Sequence, residues 1–249
     1  MHLEECHLAS VTSTNDYAKE LLRSHAAVFV TALHQTRGRG RNGREWLGDY
    51  GLNAYCSIGI RHEARISTEE ASSYMGLGAL VILHTLRAIA PFNPYRLKYP
   101  NDVQALTAEG WAKIGGTLVE HEFQGDRCVT TVIGMGVNVG QKVFPQTIDQ
   151  AVTSLFLLGR DIALSSFIVC LRDIALRYLE MPWRIVHDEW KQELKLDGME
   201  VRIIGSDDKW SVRNVLMDGR LEVYNSVTNT TRVLTDGESV RYEDRAEQR

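Results

Sequence analysis

The sequence predicts an α+β fold: a mixed β-sheet backed by helices, followed by a small C-terminal β-barrel. Three observations carry this. Strand-like and helix-like runs follow one another without the regular βαβ rhythm of a doubly wound parallel sheet. One long uncharged stretch, residues 71–86, lies inside a pattern with clear helix start and stop signals. Near Lys195 the chain changes character and becomes short β-rich runs separated by turns.

In order along the chain, residues 16–23 read as a short helix capped by the Ser13-Thr14-Asn15 cluster before it. Val28 to Leu33 reads as a buried strand, the Gly/Arg-rich segment 36–44 as a loop, and 53–61 as a further strand. A helix is predicted over 68–90, because Ser67 and Glu70 have capping-box spacing and Pro91 stops the chain. Leu97–Tyr99, Gly115–Glu122 and Val129–Val139 read as three strands, with Gln104–Ala112 a rather long connection. Segment 166–180 has helical apolar spacing at Phe167, Leu171, Ile174 and Tyr178, and 184–194 continues as a second helix. Five short strands are then expected in the final fifty or so residues, which sets a boundary between 1–195 and 196–249.

Composition narrows the function classes. The 249 residues are 44% hydrophobic and 24% charged, ordinary for a globular protein and wrong for a disordered one. The net charge of −4 argues against a surface built to coat nucleic acid, although a local basic patch remains compatible with it. Cys6, Cys56, Cys128 and Cys170 form no CxxC pair, which fits reduced thiols in a cytoplasm. The N-terminus lacks the cationic and apolar regions of a signal peptide, and residues 71–86 fall short of the roughly 20 apolar residues that a membrane span needs. A cytoplasmic protein without a membrane partner is expected.

The strongest chemical signal is RGRGRNGR at 37–44, where Arg37, Arg39, Arg41 and Arg44 alternate with Gly38, Gly40 and Gly43. Glycines let a backbone approach a ligand closely, and arginines supply planar forked donors for phosphate or carboxylate. No GK[ST] follows, so this is not a Walker A loop. Taken alone, the segment fits a small-molecule phosphate site or an Arg/Gly surface loop that touches RNA. Four weaker signals accompany it: Ser13-Thr14-Asn15, KYPND at 98–102, KIGGTLVE at 113–120 and GMGVNVG at 134–140. Each has a bland reading, respectively a helix cap, a turn, a strand-edge lysine and tight packing around a buried amide.

Their order and spacing change the reading. The series STN, Q-x-x-GRGRNGR-x-W, KYPND, KIGGTLVE and GMGVN resembles biotin–protein ligases over roughly residues 10–140. The resemblance implies a class II synthetase-like catalytic domain with an SH3-like C-terminal barrel. It implies that Ser13, Thr14, Asn15 and Gln35 bind biotin, that Arg39, Gly40 and Arg41 close over biotin and phosphates, and that Lys113 contacts the biotin carboxylate and the α-phosphate. By the same resemblance Trp46 and Asn138 meet adenine, Arg44 a phosphate or ribose, and Asp102 helps to position Mg²⁺. The implied reaction joins biotin and ATP into biotinoyl-5′-AMP and passes biotin to a lysine of a biotin carboxyl carrier protein. The few residues before Ser13 leave no room for the helix-turn-helix of bifunctional members, so a monofunctional ligase without a DNA partner is expected, with a homodimer possible. Four like-charged arginines should also leave the empty loop mobile. The sequence departs from the family at Tyr99, where Trp is common, and Trp111 receives no role. A lipoate–protein ligase and an RNA-binding protein are the alternatives.

Overall fold

The computed structural model describes residues 2–203, 208–234 and, by backbone, 240–242. The chain opens with strand β1 (Glu4–Leu8), helix α1 (Thr14–Leu21), strand β2 (Ala27–Ala32) and strand β3 (Asn53–Arg61). Helix α2 (Thr68–Ile89) follows, then strands β4 (Tyr95–Lys98), β5 (Asp102–Thr107), β6 (Gly110–Gln124) and β7 (Arg127–Asn138). These seven strands form one sheet in the order β1-β2-β3-β7-β6-β5-β4, parallel between β1 and β2 and antiparallel elsewhere. The sheet is mixed, as predicted.

One face of this sheet is covered by α2. Its start carries the predicted cap, with Ser67 Oγ accepting from the Glu70 backbone N–H at 3.1 Å. By length and composition α2 is the one helix among the described residues that could cross a membrane, yet most of it is buried inside the fold. Helices α3 (Leu164–Leu179) and α4 (Trp183–Leu194) pack on its outer side. At the crossing with α4, Gly76 lies under the Trp190 indole, where a Cβ would come within 2.8 Å of the ring. A larger residue there would push the helices apart.

The second β unit comprises β8 (Glu200–Ile203), β9 (Lys209–Val215), β10 (Leu221–Asn225), β11 (Thr230–Leu234) and β12 (Val240–Tyr242). They form a five-stranded antiparallel sheet in the order β11-β10-β9-β8-β12. Among the described residues no pairing closes β11 onto β12. Trp210, Val212, Leu221 and Val223 from this sheet join the apolar cluster that holds Trp190 and α2. The Tyr99 hydroxyl donates to the Gly219 carbonyl at 2.7 Å, and the Tyr99 ring stacks on Trp190 at 6.1 Å. Tyr99, just beyond β4, thus joins the first sheet to the second.

Three expectations are corrected. The connection 104–112 is no loop: β5 and β6 run through it as a hairpin turning at 107–110. Lys113 is not at a strand start, because β6 begins at Gly110. Ser13 occupies the N-cap position of α1 but makes no capping side-chain hydrogen bond, so Thr14 and Asn15 lie in the first helical turn, with side chains engaged elsewhere.

Candidate active site

The uncovered face of the large sheet carries a cavity of about 600 Å³, within the range of ligand pockets. Strand alternation explains its floor. In β7, Met135 and Val137 point into the core, while Gly134, Gly136 and Asn138 lie on the cavity side. A side chain at 134 would collide with the Asn15 amide, and a Cβ at 136 would lie 2.7 Å from the Trp46 indole. The glycines leave room for side chains arriving from above.

β6 needs a further device. Gly116, Leu118 and Glu120 share the cavity side, and a residue three positions before Gly116 should face the core. Yet the pairing with β5 shifts between Val103 and Gln104, leaving Ile114 as the extra residue of a bulge. Ile114 turns inward, fully buried, and Lys113 emerges on the cavity wall. The Lys113 backbone N–H donates to the Ala151 carbonyl and its carbonyl accepts from the Thr153 N–H, so the segment after β7 is stitched to it. The Asn138 side chain donates to the Thr153 carbonyl at 3.0 Å, tying the same segment from the other side.

Lys113 Nζ lies 2.6 Å from Asp102 Oδ1 and 5.3 Å from the centre of the Trp46 ring. Both partners of the ion pair are largely sheltered. Arg41 donates to Asn101 Oδ1 at 3.4 Å. The arginine segment folds back on itself, with Gly40 N–H donating to the Arg44 carbonyl and Trp46 N–H to the Gly38 carbonyl. A Cβ at Gly38 would lie 2.6 Å from the Trp46 carbonyl oxygen, which makes glycine obligatory at that crossing.

Beside these cations lies a neutral polar corner. Gln35 Oε1 accepts from the Thr14 N–H at 2.8 Å and from Thr14 Oγ1 at 3.1 Å. Ser57 Oγ lies 2.6 Å from Asn15 Oδ1 and 2.8 Å from Thr14 Oγ1. Ser57 escaped the sequence reading, although a serine in the otherwise apolar run NAYCSIGIR was the available signal. Asn15 Nδ2 donates to Glu120 Oε2 at 2.7 Å. Beyond Lys113 the wall continues through Gln104, which accepts from Arg96 Nε at 2.8 Å, while the Arg96 guanidinium lies 4.4 Å from the centre of the Trp111 ring.

The twelve residues to which the resemblance gives a role line this one cavity: Ser13, Thr14, Asn15 and Gln35 at the polar corner, Arg39, Gly40, Arg41, Arg44 and Trp46 from the loop, and Asp102, Lys113 and Asn138 from the sheet, whereas Arg37, Gly38 and Gly43 of the same arginine segment are not in its lining. The expected repulsion among arginines does not describe Arg39. Its guanidinium lies between Asp16 and Glu120, and the Asp16 carboxylate is held below its ordinary pKa chiefly by that hydrogen bond. Burial raises the Glu120 pKa, but hydrogen bonds from Asn15 and Lys19, with the charges of Lys19 and Arg39, bring it below normal. Among the described residues no three His, Cys, Asp or Glu side chains gather to hold a metal. Asp102 is a single carboxylate already paired with Lys113, so the protein's own donor set suits Mg²⁺ only as an ion that brings most of its oxygen ligands with it, its usual habit.

The sequence pattern of the biotin/lipoate A/B protein ligase family matches residues 8–138, more than half of the chain. The chain belongs to that family. Among curated relatives, it is 30% identical over 149 residues to the bifunctional ligase/repressor BirA of Bacillus spizizenii, covering 58% of this chain and 44% of that one. It is 34% identical over 137 residues to the biotin–[acetyl-CoA-carboxylase] ligase of Mycobacterium tuberculosis, covering 53% and 46%. The chain thus spans less than half the length of these two relatives. The solved biotin protein ligase of Aquifex aeolicus, in complex with biotin and ATP, superposes with a TM-score of 0.71 at 24% identity, covering 96% of this chain and 99% of that one. That of Helicobacter pylori, with bound biotinylated ATP, gives 0.58 at 21%, covering 93% and 100%. Family membership and these likenesses agree on the fold: a mixed sheet backed by helices, with a β module behind it.

Proposed function

We propose that this family member activates biotin with ATP to biotinoyl-5′-AMP and then transfers biotin to a lysine of a biotin carboxyl carrier protein, releasing AMP and pyrophosphate. The observation that carries this reading is the meeting, on one sheet face, of an amide-and-hydroxyl corner with an Arg/Lys cluster. The corner, built from Ser13, Thr14, Asn15 and Gln35, offers directional donors and acceptors to a neutral polar ring such as the ureido group of biotin.

The chemistry joins two anions, since a carboxylate oxygen attacks the α-phosphorus and pyrophosphate departs. Fixed cations lower that barrier by neutralising charge as it develops. Lys113 has this role, released from Asp102 as the substrate anions arrive, and Arg41 assists from the loop. Trp46 and Asn138 take the adenine side, and Arg44 a phosphate or ribose. Asp102 is the residue that would help to hold Mg²⁺, which would supply further charge neutralisation when bound. The 36–44 segment covers the anhydride and keeps water out until the carrier lysine attacks.

We divide the chain near residue 195 into a catalytic part and a C-terminal module that supports carrier docking. A cytoplasmic setting agrees with four cysteines that are all free thiols. A lipoate ligase of the same family is the second reading, but the Mycobacterium tuberculosis relative, named as a biotin–[acetyl-CoA-carboxylase] ligase, favours biotin. Incubating the chain with ATP, magnesium, biotin and an acidic carrier domain, and weighing the carrier intact, tests the proposal. A single biotin adduct on the carrier is the expected result. An adduct formed only with lipoate, or none with either acid, would refute it.

A further inference from the structure

Asp16, Lys19, Arg39 and Glu120 form a four-charge network beside the polar corner. The Arg39 fork sits bidentate on Asp16, at 2.5 and 2.7 Å, and one of its nitrogens also reaches Glu120 at 3.3 Å. Glu120 takes Lys19 Nζ at 2.9 Å and Asn15 Nδ2 at 2.7 Å. Two carboxylates and two cations balance, so Arg39 needs no external anion. Surface ion pairs are worth little singly, but a bidentate pair inside a network is the exception. The network joins three pieces of chain: the arginine loop, helix α1 and strand β6. Glu120 also fixes which way the Asn15 amide points, because Nδ2 donates to it while Oδ1 faces Ser57.

We propose that Asp16 and Glu120 are positioning residues that clasp Arg39, docking the 36–44 segment over the cavity before any ligand arrives. Arg39 then acts as the fastener of the loop, and Arg41 with Lys113 meets the substrate anions. Loop closure therefore starts from a half-fastened state, and the same carboxylate that holds the loop orients a pocket amide. The kinetic part of this inference rests on the biotin–ATP reading above; the mechanical part does not.

Limited trypsin digestion of the ligand-free full chain, followed by intact mass, reads the clasp directly. An arginine side chain held by two carboxylates is withheld from the protease. Cleavage after Arg39 should be slow in the parent protein and about five- to tenfold faster in Asp16→Asn and in Glu120→Gln, as for a locally released segment. In steady-state assays, Asp16→Asn should raise KM for biotin about five- to tenfold and leave kcat within about twofold, the pattern of lost ground-state binding. Asp16→Glu should recover both values. A purely structural role for Asp16 in α1 would lower the melting temperature without that KM–kcat split. If Asp16→Asn does not fold, Arg39→Lys, which keeps the charge and loses the fork, carries the same test. Unchanged cleavage after Arg39, or a KM for biotin that falls, would overturn the clasp. A parent protein inactive on biotin would refute the proposed function, while the digestion would still judge the clasp.

Discussion

The two faces of the seven-stranded sheet are built from one alternating sequence and do opposite things. On the covered face Ile114, Ile133, Met135 and Val137 meet α2 and exclude water. On the open face the alternate residues are glycines, amides and charges that leave a cavity. Glycine serves both faces differently. Gly76 lets Trp190 of α4 settle onto α2, and Gly136 lets Trp46 settle onto the sheet beside Lys113. The lesson is that close approach alone does not mark a functional glycine; the chemistry of what approaches does.

The largest expected effect is on the open face. Lys113→Ala removes one of the sheet's cavity cations and takes from Asp102 its ion-pair partner, leaving negative charge where the proposed function brings anions. Adenylation should fall by about a hundredfold or more, the scale of losing one preorganised electrostatic group. Circular dichroism should stay close to the parent's, while the melting temperature should fall because the sheltered Asp102 carboxylate has lost its partner. Undiminished adenylation would return Lys113 to the status of an ordinary surface charge.

Paired glycine substitutions sharpen the contrast between the faces. Gly76→Ala should cost about 1–3 kcal/mol of stability through overpacking against Trp190, with unchanged kinetic constants for the folded fraction. Gly136→Ala displaces Trp46 and should raise KM for ATP about tenfold, with a smaller change in melting temperature. If both variants changed only stability, the distinction between the faces would fail.

A third difference concerns acid. His62 and His121 both lie on Thr131 Oγ1, at 2.7 and 2.9 Å, with Cys128 alongside. Burial lowers both imidazole pKa values, and His62 lowers that of His121 further. A histidine depressed in the folded state contributes its stability above the ordinary imidazole pKa of about 6.5 and loses it as pH falls below that value. The melting temperature should therefore drop by about 2–4 °C from pH 7.5 to pH 5.5, the size that about 1 kcal/mol makes in a chain this long. His62→Gln should flatten the profile. The carboxylates around Arg39, depressed as they are, should contribute nothing to pH dependence in that window.

The smallest effect tests the seam between the two sheets. Tyr99→Phe deletes one hydrogen bond to the Gly219 carbonyl and keeps the stacking on Trp190, so about 0.5–1.5 kcal/mol of stability should be lost. Urea unfolding monitored by tryptophan fluorescence reads this directly.

These contrasts also show what was legible in the sequence. The strand 53–61 and the Ser67 cap were readable, because alternation and capping are local signals. The hairpin through 104–112 was not, because Thr107 to Gly110 forms a short turn without an Asn-Gly signature and Trp111 pairs with Leu106 rather than entering the core. The bulge that turns Lys113 outward depends on register with β5, which no single strand encodes. Motif spacing gathered the residues that line the cavity, but it was blind to Asp16 and Glu120. Their importance depends on where α1 and β6 meet the loop, a tertiary fact.

The central claim, that the open face joins biotin to ATP, is tested most directly by biotin-dependent exchange of labelled pyrophosphate into ATP, with no carrier present. The account predicts exchange that requires biotin, ignores lipoate and RNA, and is lost in Lys113→Ala. Exchange driven by lipoate instead, or a folded protein that gives none with biotin, would contradict it.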